Sequence, residues 1–307
     1  MRNAFADEMT KLSIKHNKVV MLSGDIGNRL FDKFKDANPD RFMNCGIAEA
    51  NMVGLAAGMA LIGLRPFIYT ITPFTTTRCL EQIKLDACYH KLPVVIVGTG
   101  SGLSYAELGA THHSCEDLAI LRVFPEISVL APADEVELRQ ALRAVLKLDG
   151  PVYIRIGKKG EKILPKKNDD FTIGRSITVR DGKDVCLIGT GTIMPELLGA
   201  AEALSNNGIS CRVESCHTIK PLDNIMLDEV FDKFSLIGVA EEHYKVGGLF
   251  SAIAESYISK KTKNVRFLGF GVPDQFIHEV GTQEYVRERF GLTAKAIAKE
   301  VLRTFDN

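Results

Sequence analysis

The chain has 307 residues, long enough for two domains. Hydrophobic residues make up 46% of it and charged residues 25%, the balance of an ordinary globular protein. Its 38 Lys and Arg are matched by 38 Asp and Glu, so the zero net charge gives no electrostatic ground for binding nucleic acid or an anionic membrane. The odd count of seven cysteines, with no Cys-x-x-Cys, reads as reduced core thiols of a cytoplasmic protein, not a disulfide framework or a structural zinc site. Residues 1–5 do not open a signal peptide, and the longest apolar run, 53–64, is too short and too rich in glycine to span a bilayer.

In chain order, the spacing predicts a helix over 4–16, a buried strand over 19–22, a short strand over 41–45 and a small-residue helix entered at Glu49. A strand over 65–69 follows, then a helix over 78–89 with Leu80, Ile83 and Ala87 on one face, and an apolar strand over 93–98. After a Gly-rich loop at 99–114 come a helix over 116–121, a strand over 127–130, a helix over 135–148 and a strand over 152–156. Residues 157–174 read as a charged, irregular linker. A second alternating block begins near Ile177, with strands over 184–188, 210–215, 236–240 and 265–268. Helices over 195–206, 224–234 and 247–259 separate them, and two more over 282–290 and 294–304 close the chain.

Apolar strands alternating with helices indicate an α/β protein of two domains, each a mostly parallel sheet covered by helices. The expected boundaries are 1–160 for the first domain, 161–175 for the linker and 176–307 for the second domain. Ligands of such sheets sit beyond the carboxyl ends of the strands. Glu49 and the 99–114 loop both follow such ends, so one edge is expected to carry both.

Glu49 stands at the mouth of an apolar helix. Either it is a first-turn acid that favours a helix N-terminus, or it is a buried carboxyl whose desolvation opposes its charged form. Gly98-Thr99-Gly100-Ser101-Gly102 lacks the dinucleotide spacing and reads as a flexible loop near a ligand; Gly189-Thr190-Gly191-Thr192 reads as a tight strand–helix turn or a phosphate cradle. His112 and His113 sit in a polar loop, either idle in solvent or exchanging protons near neutral pH; acid/base work or substrate hydrogen bonding ranks above metal binding, since only Cys115 and Glu116 are near. There is no nucleophile elbow and no Walker loop.

Several motifs in fixed order carry a resemblance over essentially the whole chain. They are Gly46-Ile47-Ala48-Glu49-Ala50-Asn51-Met52, Ala110-Thr111-His112-His113-Ser114-Cys115-Glu116-Asp117, Ala131-Pro132-Ala133-Asp134, Leu187-Ile188-Gly189-Thr190-Gly191, Ile219-Lys220-Pro221-Leu222-Asp223, and Glu241-Glu242-His243 before Gly247-Gly248. Together they resemble the transketolase family of thiamine-diphosphate enzymes, in its pyrimidine-binding and C-terminal domains.

The resemblance implies roles. Glu49 corresponds to the glutamate that bonds N1′ of the cofactor's aminopyrimidine and promotes the imino tautomer that activates C2. A raised pKa at Glu49 suits that bond. Ile47 matches the bulky residue behind the bent cofactor, and Tyr69 lies in the cofactor-binding segment. His112 matches a histidine that contacts substrate oxygens. Arg2, Arg29, Arg78 and Lys158 fall where the family binds sugar or phosphate. Lys158 replaces the usual arginine, which keeps the charge and loses the bidentate fork. Phe74 is the candidate for stacking on the pyrimidine, although strict alignment puts Thr72 and Thr75 at the stacking positions. Leu108 replaces the aspartate that reads the donor hydroxyl, Gly100 replaces a histidine or glutamine, and Arg29 replaces a serine.

The family's diphosphate signature, Gly-Asp-Gly followed by asparagine, is missing; Ser23-Gly24-Asp25-Ile26-Gly27 is its nearest approach. The resemblance therefore implies one subunit of a split transketolase. Its partner would be an N-terminal subunit holding the diphosphate and Mg²⁺ (or Ca²⁺), in an α₂β₂ assembly. The implied reaction moves a two-carbon ketol unit from a ketose or modified sugar to an aldose. The alternatives are a subunit of a related carboligase or 2-oxoacid decarboxylase or dehydrogenase, and a non-catalytic paralogue that keeps the fold.

Overall fold

The computed structural model describes residues 1–27, 29–165, 171–260 and 264–305. The first sheet is built from β1 (Val19–Ser23), β2 (Phe42–Asn44), β3 (Arg65–Ile71), β4 (Val95–Thr99), β5 (Ser128–Leu130) and β6 (Val152–Ile156). The second is built from β7 (Ile177–Arg180), β8 (Val185–Gly189), β9 (Cys211–Ser215), β11 (Leu236–Tyr244) and β12 (Arg266–Val272). Between β9 and β11 lies β10 (Thr218–Lys220), which returns to the first sheet and completes the order β10-β5-β6-β4-β3-β1-β2. The second sheet runs β12-β11-β8-β9-β7. Among the strands of the described residues, only β10 on β5 and β7 on β9 are antiparallel pairs, so the expected fold class is met.

Strand periodicity divides the first core. Phe67 and Tyr69 of β3 join Val95 and Val97 of β4 under Phe5 and Met9 of the Arg2–Lys15 helix and Leu138 and Leu142 of the Glu135–Ala144 helix. The intervening Ile68 and Ile96 face the other way, against Met52, Val53 and Ala56 of the Glu49–Leu61 helix. Successive side chains of a strand point to opposite faces, so a strand buried on both sides is apolar throughout. The Glu49–Leu61 helix has no side-chain N-cap, and its burial rather than local capping holds it. It stops before Gly63, whose φ of +88° is the left-handed geometry that glycine supplies after helix ends.

The apolar cluster that contains Ile68 and Ile96 runs on through Val129, Ala131 and Tyr153 to Ile188, Ile237 and Val239 of the second sheet. Leu227, Val230 and Ile253 cover that side of the second sheet; Leu197, Leu204, Ile297 and Val301 cover the other.

Three expectations are corrected. The 78–89 segment is not one α-helix. A 3-10 turn (Thr77–Cys79) and one α-turn (Leu80–Gln82) lead into a π-helical stretch, Ile83–Tyr89, whose wider turns keep Ile83 and Ala87 in the core. β10 occupies a stretch where the sequence predicts no element, because three residues ahead of Pro221 carry no periodic signal. The strand over 236–240 continues to Tyr244, burying Glu241, Glu242 and His243. The described residues of 157–174 carry no helix or strand, and 166–170 lie outside the described residues. Leu164 is nonetheless buried, and its N–H donates to Asp134 at 2.9 Å. All cysteines are free and six are buried; burial pushes the Cys79, Cys211 and Cys216 thiols up to about 12 and Cys88 to about 11.

Glu242 joins the two halves. One carboxylate oxygen accepts from the Leu103 N–H and the Thr192 hydroxyl, each at 3.2 Å; the other accepts from Arg287 Nε at 2.5 Å and Gln283 at 2.9 Å. Burial works to raise its pKa, but the Arg287 charge and the hydrogen bonds outweigh it and hold the carboxyl below the usual range. The Glu242 carbonyl accepts from Arg155 Nη2 at 2.6 Å, and the same nitrogen donates to the Ser114 carbonyl at 3.0 Å. Arg155 Nε lies 3.0 Å from Asp117, which also accepts from Tyr153 Oη at 2.5 Å. Removing one member of a buried pair leaves an uncompensated charge, so Arg287→Met is expected to cost about 3–5 kcal/mol of stability. Denaturant unfolding should show it, and Glu242→Leu in the same chain should recover part of the loss.

Candidate active site

Glu49 is the first residue of its helix and is 3% exposed. Gly24, at the end of β1, makes room for it. A Cβ on Gly24 would lie 3.3 Å from Glu49 Cγ and 3.1 Å from Thr70 Cβ. The Thr70 hydroxyl is buried there without a hydrogen-bond partner among the described residues. Glu49 Oε2 accepts from Arg78 Nη1 at 2.8 Å.

From this pair the site runs as a line of contacts along the carboxyl ends of β3, β4 and β6. The Arg78 guanidinium lies 4.2 Å from the centroid of the Phe74 ring, within the range of an attractive cation–π contact. Phe74 meets His112 edge-on at 5.4 Å, and His112 meets Tyr105 at 6.1 Å. Lys158 Nζ sits 4.7 Å over Tyr105 and pairs with Glu107. Four residues read from the sequence as catalytic, cofactor or substrate contacts thus join Glu49 in one row: Arg78, Phe74, His112 and Lys158. Partial burial, reinforced by neighbouring His113, pulls the His112 pKa below the ordinary histidine value. Its imidazole is therefore neutral at neutral pH; Nδ1 lies 2.8 Å from the Thr111 hydroxyl, which leaves Nε2 to meet a substrate oxygen.

The remaining named residues stand apart. Ile47 is 80% exposed just ahead of the helix. Tyr69 is not brought to Glu49. It is 1% exposed, stacked on Phe5 at 5.1 Å and edge-on to Phe31 at 5.1 Å. Strand alternation sends Tyr69 to the face opposite Ile68 and Thr70, and burial pushes its phenol up to about 12. Thr72 and Thr75 are fully buried; Thr72 donates to the Thr99 carbonyl at 3.1 Å and Thr75 to that of Thr72 at 3.1 Å. Phe74 is the half-buried ring of that segment. Arg2 and Arg29 line one cleft with Lys33 and Arg139, and Arg2 also borders a second cleft with Lys158.

The Gly98–Gly102 stretch serves close packing. Gly100 has φ +72°, and a Cβ there would fall 1.8 Å from the Tyr105 ring. One on Gly102, at φ +61°, would fall 2.7 Å from Glu242 Cβ. Tyr105 thus fills the space above Gly100, while Leu108 is 48% exposed on the same loop. The second glycine turn packs on Ala131, whose carbonyl accepts from the Gly191 N–H at 3.0 Å. Sequence reading missed Tyr105, Arg155 and Glu242 as supports of the His112 loop. The signal for Glu242 was adjacent carboxylates at the end of an apolar strand.

Among the described residues, no group of three or more His, Cys, Asp or Glu is placed to hold a metal ion, and no helix is long and apolar enough to cross a membrane. Two family models match the chain: transketolase, pyrimidine binding domain, over residues 1–160, and transketolase, C-terminal domain, over residues 174–297. It is 36% identical to the 6-deoxy-6-sulfo-D-fructose transketolase subunit SqwH of Clostridium sp. (strain MSTE9), covering 97% of this chain and 92% of that one. It is 31% identical to an apulose-4-phosphate transketolase subunit of Phocaeicola vulgatus, covering 98% and 96%. A solved structure described as a split gene transketolase, inactive beta4 tetramer, superposes with a TM-score of 0.89 at 33% identity over 99% of this chain and 97% of that one. The chain belongs to the transketolase family and carries its pyrimidine-binding and C-terminal domains.

Proposed function

We propose that this chain is one subunit of a cytoplasmic, two-polypeptide transketolase that moves a two-carbon ketol unit from a ketose or modified sugar to an aldose-type acceptor. The observation that carries the reading is the buried Glu49 carboxylate, set at the sheet edge in one row with Phe74 and His112. This row fits the pyrimidine end of thiamine diphosphate. A flat ring with apolar faces and a polar rim suits a half-buried phenylalanine, a buried carboxylate, the unpartnered Thr70 hydroxyl and the exposed Ile47 side chain. When bound, the cofactor supplies the carbon nucleophile that carries the ketol unit.

With the cofactor bound, Glu49 would hold the pyrimidine N1′ and its proton, and Phe74 and Ile47 would supply apolar contact to the ring. Neutral His112 donates to or accepts from substrate oxygens. Arg2, Arg29, Arg78 and Lys158 bind the anionic end of the sugar. The sulfo and phosphate groups in the substrate names of the two relatives suit such cations. A partner subunit holds the diphosphate and Mg²⁺ (or Ca²⁺) in an α₂β₂ assembly. On this reading residues 1–160 form the pyrimidine-binding domain, 161–175 the linker and 176–307 the C-terminal domain.

The first test mixes the chain with a candidate partner that carries Gly-Asp-Gly and the following asparagine. Ketol transfer and tight cofactor binding should require both; full activity of this chain alone would refute the split site. Carbon dioxide release from a 2-oxoacid would favour the decarboxylase alternative. In the assembled enzyme, Glu49→Gln should slow C2–H exchange of the cofactor by about 10²-fold or more, and an unchanged rate would remove Glu49 from the mechanism. Because the His112 pKa is lowered, the imidazole stays neutral as pH falls through about 6.5, the ordinary value. The acid limb of kcat/KM that His112→Asn abolishes should therefore lie below that pH.

A further inference from the structure

Glu49 and Arg78 form an unequal pair. The carboxylate side chain is 3% exposed and the arginine side chain 45% exposed, at 2.8 Å. A buried carboxylate needs a charged or hydrogen-bonding partner. Among the described residues the hydrogen bond to Glu49 comes from Arg78. The same guanidinium lies over the Phe74 ring at 4.2 Å. It therefore covers both surfaces that the functional reading gives to the pyrimidine, the carboxylate oxygen and the aromatic ring. An exposed arginine can leave such a position, whereas the buried glutamate cannot.

We propose that Arg78 is an exchangeable place-holder: it neutralises Glu49 whenever no cofactor is bound, gives way to the cofactor's pyrimidine, and then serves the anionic end of the sugar. The proposal rests on the functional reading above and adds a coupling to it. Cofactor and anionic substrate both favour the state in which Arg78 has left Glu49. Each ligand must then strengthen binding of the other by the same factor. No bond is made or broken; a guanidinium exchanges one anion for another. The device lets the site keep a buried carboxylate folded in place before the cofactor is present.

The test uses the assembled enzyme, with glycerol 3-phosphate as an unreactive phosphomonoester. Saturating glycerol 3-phosphate should lower the Kd of thiamine diphosphate about five-fold or more, and the cofactor should lower the Kd of glycerol 3-phosphate equally. In Arg78→Met the coupling should vanish, and the cofactor alone should bind at least as tightly as to wild type. Absence of coupling in the wild type, its persistence in Arg78→Met, or weaker cofactor binding by that variant would each overturn the proposal. A second measurement covers misfolding and needs no cofactor. In the isolated chain, Arg78→Met should lower the Tm and Glu49→Gln in the same chain should restore it. A double variant no more stable than Arg78→Met would mean that Arg78 is not the counter-ion. Loss of all ketol transfer by the assembled wild type would refute the functional reading itself. An active wild type without coupling would refute the exchange alone.

Discussion

The hydrogen-bonded carboxylate of Glu242 is the constraint on which the edge with the candidate site depends. It sits on the second sheet, yet one of its oxygens holds the Leu103 N–H of the loop that carries His112. Arg155, from the first sheet, holds the Glu242 and Ser114 carbonyls at the other end of that loop. The loop is therefore pinned near both ends by buried charges, and it can be irregular between them without being loose. Glycine at 102 is part of the same device, because a side chain there would strike Glu242. The second domain thus shapes a site to which it lends no residue of the Glu49–Lys158 row.

Charge is arranged at the site in two ways. Glu242 is surrounded by donors that leave no room for exchange, with Arg287 at 8% exposure. Among the described residues, Glu49 is hydrogen-bonded by one guanidinium, that of Arg78, which remains open to solvent on its outer side. Both carboxylates are almost fully buried, but the first is locked and the second is held by a partner that can be replaced. Locked pairs suit architecture; a replaceable pair suits a binding site.

Much of this was legible in the sequence. Alternating apolar strands and helices gave the two parallel sheets, and the Glu49 motif fixed the mouth of its helix. Of the residues that segment offers for stacking, the structure buries Thr72 and Thr75 completely and leaves Phe74 half-buried. Tyr69, expected in the cofactor-binding segment, faces away from Glu49 because strand alternation decides its direction, and one residue of register reverses the face. The Gly-rich loop was read as flexible since glycine signals both mobility and close approach; only the positions of Tyr105 and Glu242 tell the two apart. β10 escaped notice because its pairing partner, β5, lies some ninety residues earlier, and nothing local in Thr218-Ile219-Lys220 declares it.

That small strand has a consequence for how the chain is made. Thr218 and Lys220 pair with Leu130 and Val129 at the rim of the first sheet. During synthesis, β5 is released from the ribosome well before its neighbour exists, and its outer edge stays an open template until residue 220 has emerged. Open strand edges recruit other chains. A truncation placed between the two sheets would leave the same edge bare for good, so the two halves form one unit of assembly although each has its own sheet.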